Sequence, residues 1–326
     1  MQPFFLDRAS DPAEAVAFAR QPGADYIAGG TDLMQLLKDG VREPSRLVDI
    51  EPLGLTEIQQ DSQGLRLGAL ARMSDVADHP GVAAQYPVIA QALLESAAPQ
   101  IRNLGTIGGN LLQRTRCTYF RDIAEPCNKR TPGTGCAARE GVNRGHAILG
   151  GSPSCVATHA SDLAVALVAL DARVHLLGAE GRRELPLTEL HRLPGEHPEI
   201  ETQLRPGELI EAVSVPAGPW TAHSHYLKVR DRASFEFALA SAAVALDIEN
   251  GVIRSARVAA GGVGTKPWRL PAVEQALIGR KAEIATWRDA GEIAVQGAVP
   301  LHDNGYKIVL LRNVVSRALA QAGGKA

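Results

Sequence analysis

The sequence predicts an α+β fold on three observations. Through the first two thirds, β-prone runs alternate with helical patterns. After about residue 220 the pattern shifts to two long strands in "FEFALASAAVALDIENGVIRSARVAAGGV", joined at an Asn250-Gly251 hairpin turn, and three helical patterns finish the chain. At 326 residues, 45% hydrophobic and 21% charged, the chain is long enough for two or three domains and a substantial buried core.

The elements follow in order. In "DPAEAVAFARQPGA", Asp11 can cap a helix, Pro12 suits its first position and Gly23 stops it. "DYIAGGTDLMQLLKDG" reads as strand, glycine pair and helix, with Leu33, Leu36 and Leu37 on one face and Gly40 at the end. "RLVDI" continues as a strand, a hairpin is expected around Asp61 to Gly64, and Ser74 caps "SDVADH". A helical "VIAQALLESAAPQIRN" then leads into "LGTIGGNLLQ". Beyond an irregular window, "SDLAVALVALDARVHLLGAEGRRELPL" gives a Ser161-capped helix, a strand and a hairpin turn. "LPAVEQALIG", "TWRDAGEIAVQGAV" and "YKIVLLRNVVSRALAQA" are the closing helices. The Pro/Gly-containing "PAGPWTAH" puts a domain boundary near residue 220, and no solenoid repeat is visible.

A formal net charge of -2 and 4% aromatic residues provide neither the basic field nor the stacking platforms that nucleic acid needs. No apolar run reaches the ~20 residues of a membrane span. The start lacks a basic stretch followed by an apolar one, so no export signal is expected and the chain's own sequence places it in the cytoplasm. In that reducing compartment, clustered thiols more often bind metal or catalyse than form disulfides.

"AGGTDL", Ala28 to Leu33, frees consecutive backbone N–H groups at a helix start, an arrangement that receives phosphate, and Thr31 adds a hydroxyl. Alone it is a weak signal, because a Gly-Gly turn before a helix is an ordinary connection. It lacks the Gly-Lys-Ser/Thr of a P-loop, and "GGVGTKP" places Pro267 where a dinucleotide fingerprint needs its third glycine. "GTIGGN", Gly105 to Asn110, is a second such turn, with Thr106 as donor and Asn110 as a bridge. Two of them suggest a ligand with two phosphates and a larger body, such as a dinucleotide; two structural turns remain the plain alternative.

All four cysteines fall in one window, spaced C-x9-C-x8-C-x18-C: Cys117, Cys127, Cys136 and Cys155. The spacing matches neither zinc ribbons nor bacterial ferredoxins. Four thiols are nevertheless the number a [4Fe–4S] cluster needs, and Pro126, Pro132, Gly133, Gly135, Gly150, Gly151 and Pro153 make the window better suited to wrapping a centre than to packing a core. Arg114, Arg116, Arg121, Lys129 and Arg130 would balance an anionic cluster. An iron–sulfur cluster, structural zinc and two disulfides all stay open on spacing alone. Ser161 and Asp162 are explained by helix capping, Lys228, Arg230 and Arg232 lie on or near a strand edge, and His159 is a lone histidine. No G-x-S-x-G, H-E-x-x-H or cysteine–base pair is present, so no catalytic residue is named and the chain reads as a cofactor carrier.

Together "AGGTDL", "IRNLGTIGGNLL", "SDLAVALVALDA", "LRPGELI", "LKVRDRASFEFALAS" and "AAGGVGTKPWR" resemble, in order and over nearly the whole chain, the FAD-binding medium subunits of the xanthine dehydrogenase and carbon monoxide dehydrogenase family of molybdenum hydroxylases. The cysteine window is similar to the subset whose FAD subunit carries a [4Fe–4S] cluster, as in bacterial periplasmic aldehyde oxidoreductase. The resemblance implies an FAD-binding region of the vanillyl-alcohol-oxidase (PCMH) type over 1–220, in two α/β subdomains of about 1–55 and 56–220. It implies a [4Fe–4S] loop inserted at about 113–158 and a C-terminal domain over 221–326 with a small antiparallel sheet and helices.

It further implies FAD contacts from Tyr26, Ile27, Ala28, Gly29, Gly30, Thr31, Asp32, Leu33, Thr106, Gly109, Asn110, Ser161 and Asp162, with Lys228 reaching the isoalloxazine, and Cys117, Cys127, Cys136 and Cys155 as cluster ligands. The expected partners are a small [2Fe–2S] subunit, a large molybdopterin-binding subunit and an external electron acceptor, in a heterotrimer oxidising an aldehyde to a carboxylic acid. A signal-bearing partner could carry such a chain to the periplasm. The alternatives are the FAD subunit of a xanthine dehydrogenase or of an aromatic-CoA reductase-like complex, a self-contained flavin oxidase, and a non-redox scaffold with structural zinc.

Overall fold

The computed structural model describes residues 1–324, which form three sheets. In the first, β1 (Phe5–Arg8), β2 (Ala24–Ile27) and β3 (Arg46–Asp49) are parallel in the order β1-β3-β2. Parallel neighbours need crossovers, and the first is the helix Pro12–Ala19. Asp11 accepts from the Glu14 N–H at 2.9 Å at its start, and Gly23, at φ +75°, makes the left-handed turn after it.

The second sheet contains β4 (Ile58–Asp61), β5 (Gly64–Gly68), β6 (Arg173–Gly178), β7 (Gly181–Pro186) and β8 (Leu209–Pro216), ordered β4-β5-β8-β6-β7. Every pairing in it is antiparallel, so the second subdomain has the elements of an α/β unit without its parallel strands. The third holds β9 (Ser224–Val229), β10 (Ala240–Glu249), β11 (Val252–Gly261) and β12 (Trp268–Arg269), antiparallel in the order β12-β11-β10-β9.

Three local expectations are corrected. Ser74 lies inside the helix Met73–Asp78, whose cap position is held by Arg72. The expected helix over "VIAQALLESAAPQIRN" breaks into Pro87–Leu94 and Pro99–Arg102, with Ala97 left-handed at φ +51° between them; Pro99 disfavours helix at the residue before it. The second glycine-rich segment is the helix Ile107–Leu111 rather than a turn, and its N-cap Thr106 Oγ1 accepts from the Gly109 N–H at 3.2 Å.

The helix Asp162–Ala169 is buried along its whole length, which is why its sequence is apolar all round. It packs into a core with Leu65, Val174 and Val213 of the second sheet and with Ala243, Ala245 and Ala259 of the third. The alternate residues of β10, Ala242, Val244 and Leu246, face the other way onto Trp287 and the helix Tyr306–Ala322. Small residues on one face let β10 approach the buried helix closely. Among the described residues no helix is long and apolar enough to cross a membrane.

Since Leu167 is fully buried where both antiparallel sheets meet the helix, Leu167→Ala is expected to cost about 2–5 kcal/mol. The drop would be read from the midpoint of denaturant unfolding; a loss well under 1 kcal/mol would place this helix outside the cooperative core.

Candidate functional site

A cleft of about 580 Å³ opens between the first sheet, the helix Ile107–Leu111 and the end of β9. That volume lies within the roughly 300–1,000 Å³ of cofactor and ligand sites. Thirteen of the fourteen positions expected to meet a cofactor line it; Ser161 stands behind the wall.

The glycine turn after β2 forms one wall. Among the described residues, the N–H groups of Gly29, Gly30, Thr31, Asp32 and Leu33 donate to nothing in the protein, although all five residues face the cleft. Five consecutive unpaired donors in a half-buried turn can receive an anion. The glycines differ in purpose. A Cβ on Gly29 would stand 1.8 Å from the Leu104 carbonyl oxygen, so Gly29 permits the close approach of the second segment; Gly30 takes a left-handed φ of +67°.

The second segment offers far fewer free donors. Ile107 N–H bonds to Ala71, Gly108 N–H to Ala69, and Asn110 N–H to Thr106, at 2.8 to 3.0 Å. Gly108 permits packing, since a Cβ there would lie 3.1 Å from that of Ala69. The expectation of two equivalent phosphate turns therefore reduces to one N–H seat, faced by the Thr106 hydroxyl and a floor at Gly109. Asn110 is tied internally: its Oδ1 accepts from Ser161 Oγ at 2.5 Å, while Ser161 Oγ accepts from Ala164 N–H at 2.9 Å.

At the far end Asp162 and Lys228 form a buried ion pair at 2.8 Å, their side chains 6% and 1% exposed. Asp162 also accepts from Tyr226 Oη at 2.6 Å and Ser96 Oγ at 3.1 Å; Lys228 donates to the Glu95 carbonyl at 3.0 Å. Burial and the neighbouring Asp162 carboxylate push the Tyr226 hydroxyl well above its ordinary range, so it stays a donor. Lys228 is thus no bare surface cation, and its charge is balanced before any ligand arrives. Sequence reasoning missed three cleft features: Ser96, the left-handed Ala97, and the loop carrying Phe235 and Phe237, which are 57% and 41% exposed. Only the proline after Ala97 and Ala98 hinted at the break.

Asp32 does not face the ligand as a free carboxylate. It accepts from the Arg114 N–H at 2.7 Å, Arg121 at 2.8 Å and Arg116 at 2.9 Å, fastening the cysteine window to the glycine turn. The window's basic residues are otherwise engaged as well. Arg114 pairs with Glu201, Lys129 bonds Glu201 at 2.8 Å, and Arg130 donates to the carbonyls of Tyr119, Phe120 and Glu125. Burial raises the Cys155 thiol, and Lys129 works against it.

All four cysteines are free thiols and line one small cavity of about 10 Å³. Cys127 and Cys136 face each other across an antiparallel bridge held by Asn128 N–H to Gly135 O at 2.7 Å, and the tight Ser152–Cys155 turn presents the fourth. Burial, with Cys127 and Cys155 close by, pushes the Cys117 thiol up to about 12. Buried thiols that raise one another ionise readily only around a cation. Among the described residues no three His, Cys, Asp or Glu side chains are close enough to hold a single metal ion. Four thiolates 2.3 Å from one zinc must lie about 3.8 Å apart, whereas a cluster spreads its ligands over separate irons. Four free thiols on one cavity are the number of donors a [4Fe–4S] cluster takes.

Residues 3–218 match the family described as the FAD binding domain in molybdopterin dehydrogenase, and residues 225–322 match the CO dehydrogenase flavoprotein C-terminal domain. The chain is 46% identical over 330 residues to the aldehyde oxidoreductase FAD-binding subunit PaoB of Escherichia coli (strain K12), covering 100% of both chains. It is 26% identical over 330 residues to the carbon monoxide dehydrogenase medium chain of Afipia carboxidovorans, covering 98% of each. A crystal structure of the Cu,Mo-CO dehydrogenase in its cyanide-inactivated form shares the fold, with a TM-score of 0.77 at 24% identity over 100% of both chains. With its PCMH-type FAD-binding region and its flavoprotein C-terminal domain, the chain belongs to the FAD-binding medium subunits of the xanthine dehydrogenase and carbon monoxide dehydrogenase family, oxidoreductase subunits of the molybdenum hydroxylases.

Proposed function

We propose that this chain is the FAD- and [4Fe–4S]-carrying electron-transfer subunit of a heterotrimeric molybdenum hydroxylase that oxidises an aldehyde to a carboxylic acid. The substrate would react on a large molybdopterin-binding subunit, and electrons would arrive through [2Fe–2S] centres of a small subunit and leave to an external acceptor. The observation that carries the reading is the cleft that joins five unpaired N–H donors at Gly29 to Leu33 with a buried cation at Lys228. The aldehyde class rests on the 46% identity to the aldehyde oxidoreductase subunit.

Bound FAD would supply the redox chemistry, and the chain would supply its seat and its electrostatics. Ala28 to Leu33 would hold the pyrophosphate, with Tyr26 and Ile27 leading in, and Thr106 and Gly109 facing them. Asn110 and Ser161 would act by fixing that second segment to the buried helix. Lys228, positioned by Asp162, would place positive charge at the isoalloxazine end. In the neighbouring loop, Cys117, Cys127, Cys136 and Cys155 would hold the cluster.

Gly109 is the better position for testing the cleft, because Gly30 is left-handed and Gly29 abuts backbone, so substitutions there strain the fold itself. A Cβ on Gly109 meets only Thr106 Oγ1. Gly109→Val is expected to fold and to lose most of its flavin, read as flavin absorbance per chain; normal flavin content would remove FAD from this cleft. Cys127→Ser is expected to lose iron and acid-labile sulfide while keeping flavin, and full iron retention would overturn the ligand set. Lys228→Met strands a buried carboxylate and is expected to cost about 3–5 kcal/mol in denaturant unfolding, most of it recovered by adding Asp162→Asn. A single variant as stable as the parent would show the pair to be dispensable.

A further inference from the structure

Resting on the reading that the four cysteines hold a [4Fe–4S] cluster, we propose that His146 is a positioning residue for that cluster: its Nε2–H donates to the Cys117 sulfur and raises the cluster's reduction potential. His146 Nε2 lies 3.2 Å from Cys117 Sγ. It is the one side chain hydrogen-bonded to a cysteine sulfur among the described residues. A ligated thiolate can only accept, so the proton sits on Nε2 and leaves Nδ1 bare. Buried Nδ1 accordingly has no partner.

The backbone that carries the ring is held from within the cysteine window and from outside it. His146 N–H bonds the Asn143 carbonyl at 2.9 Å, and Asn304 Nδ2 bonds the His146 carbonyl at 3.1 Å. Lys307, fully buried at the start of the last helix, donates to the Gly145 carbonyl at 2.9 Å and to Gly262 at 2.7 Å. The C-terminal region thus aims an N–H at one cysteine, an arrangement that filling the loop would not require.

A donor on a ligating sulfur withdraws charge from it and favours the more negative, reduced cluster. On reduction the cluster takes one electron from the reductant; no bond forms or breaks, and the proton stays on the imidazole. The test uses the intact complex with His146→Leu and His146→Gln, measuring iron per chain and the cluster potential by spectroscopically monitored titration with a mediated reductant. In the Leu variant iron is expected to remain, while the reduced-to-oxidised ratio at a fixed solution potential falls about tenfold, a 59 mV shift for one electron. His146→Gln, which keeps an N–H donor, is expected to restore most of it. An unchanged potential in the Leu variant overturns the proposal, as does loss of iron from both variants, which would make His146 a ligand. Absence of iron from the unsubstituted complex would instead sink the cluster reading, and this inference with it.

Discussion

Asp32 is the constraint on which the arrangement of the two candidate cofactor regions depends. It ends the glycine turn, and its carboxylate is taken by one backbone N–H and two guanidinium groups of the cysteine window. With Asp32 spent on the window, its neighbours' N–H groups are left as the turn's free donors, so a single residue leaves the anion seat open and anchors the loop beside it. Charge-assisted bonds of this kind, partly shielded from water, hold geometry better than exposed pairs do. The consequence is proximity: Arg114 and Arg116 line the cleft, and Cys117 follows directly in the chain.

The far end of the cleft follows the same logic with a buried pair. Burying Asp162 and Lys228 costs desolvation that their attraction only partly returns. What the arrangement gains is orientation, because Tyr226, Ser96 and the Glu95 carbonyl satisfy the remaining valences and leave each group one direction. The same segment explains Ala97. Its left-handed backbone turns the chain out of the helix Pro87–Leu94 just where the Glu95 carbonyl must meet both Lys228 and Arg230.

What was legible in the sequence is what is local. A glycine pair at the end of a strand, Ser161 before an apolar run, and Asn-Gly between two strands each specify their geometry within a few residues, and each appears as read. Strand direction in the second sheet was not legible, since a two-residue period says nothing about which neighbour a strand will take. Nor were the partners of Asp32, which come from 82 and 89 residues further on, or the use of the window's arginines on carbonyls and carboxylates rather than on a cluster. The clustering of four cysteines was visible as composition; that they share one cavity is a tertiary fact, and His146, 29 residues from Cys117, carried no signal at all.

The cysteine window leaves and rejoins the fold at one place. Its two ends are stitched together, Thr115 Oγ1 donating to the Thr158 carbonyl at 2.9 Å across 43 residues, with Asn110 and Ser161 bonded just outside. The surrounding sheets therefore do not register the loop's length. Closing a loop of that size costs about 3 kcal/mol by its logarithmic entropy alone. Its own apolar core is slight, with Phe120 and Cys127 against Leu36, and its other anchor is borrowed, since Ile148 and Leu149 pack into the C-terminal core. Four thiols line one cavity beside that slight core, so any centre they held would tie the loop together as well.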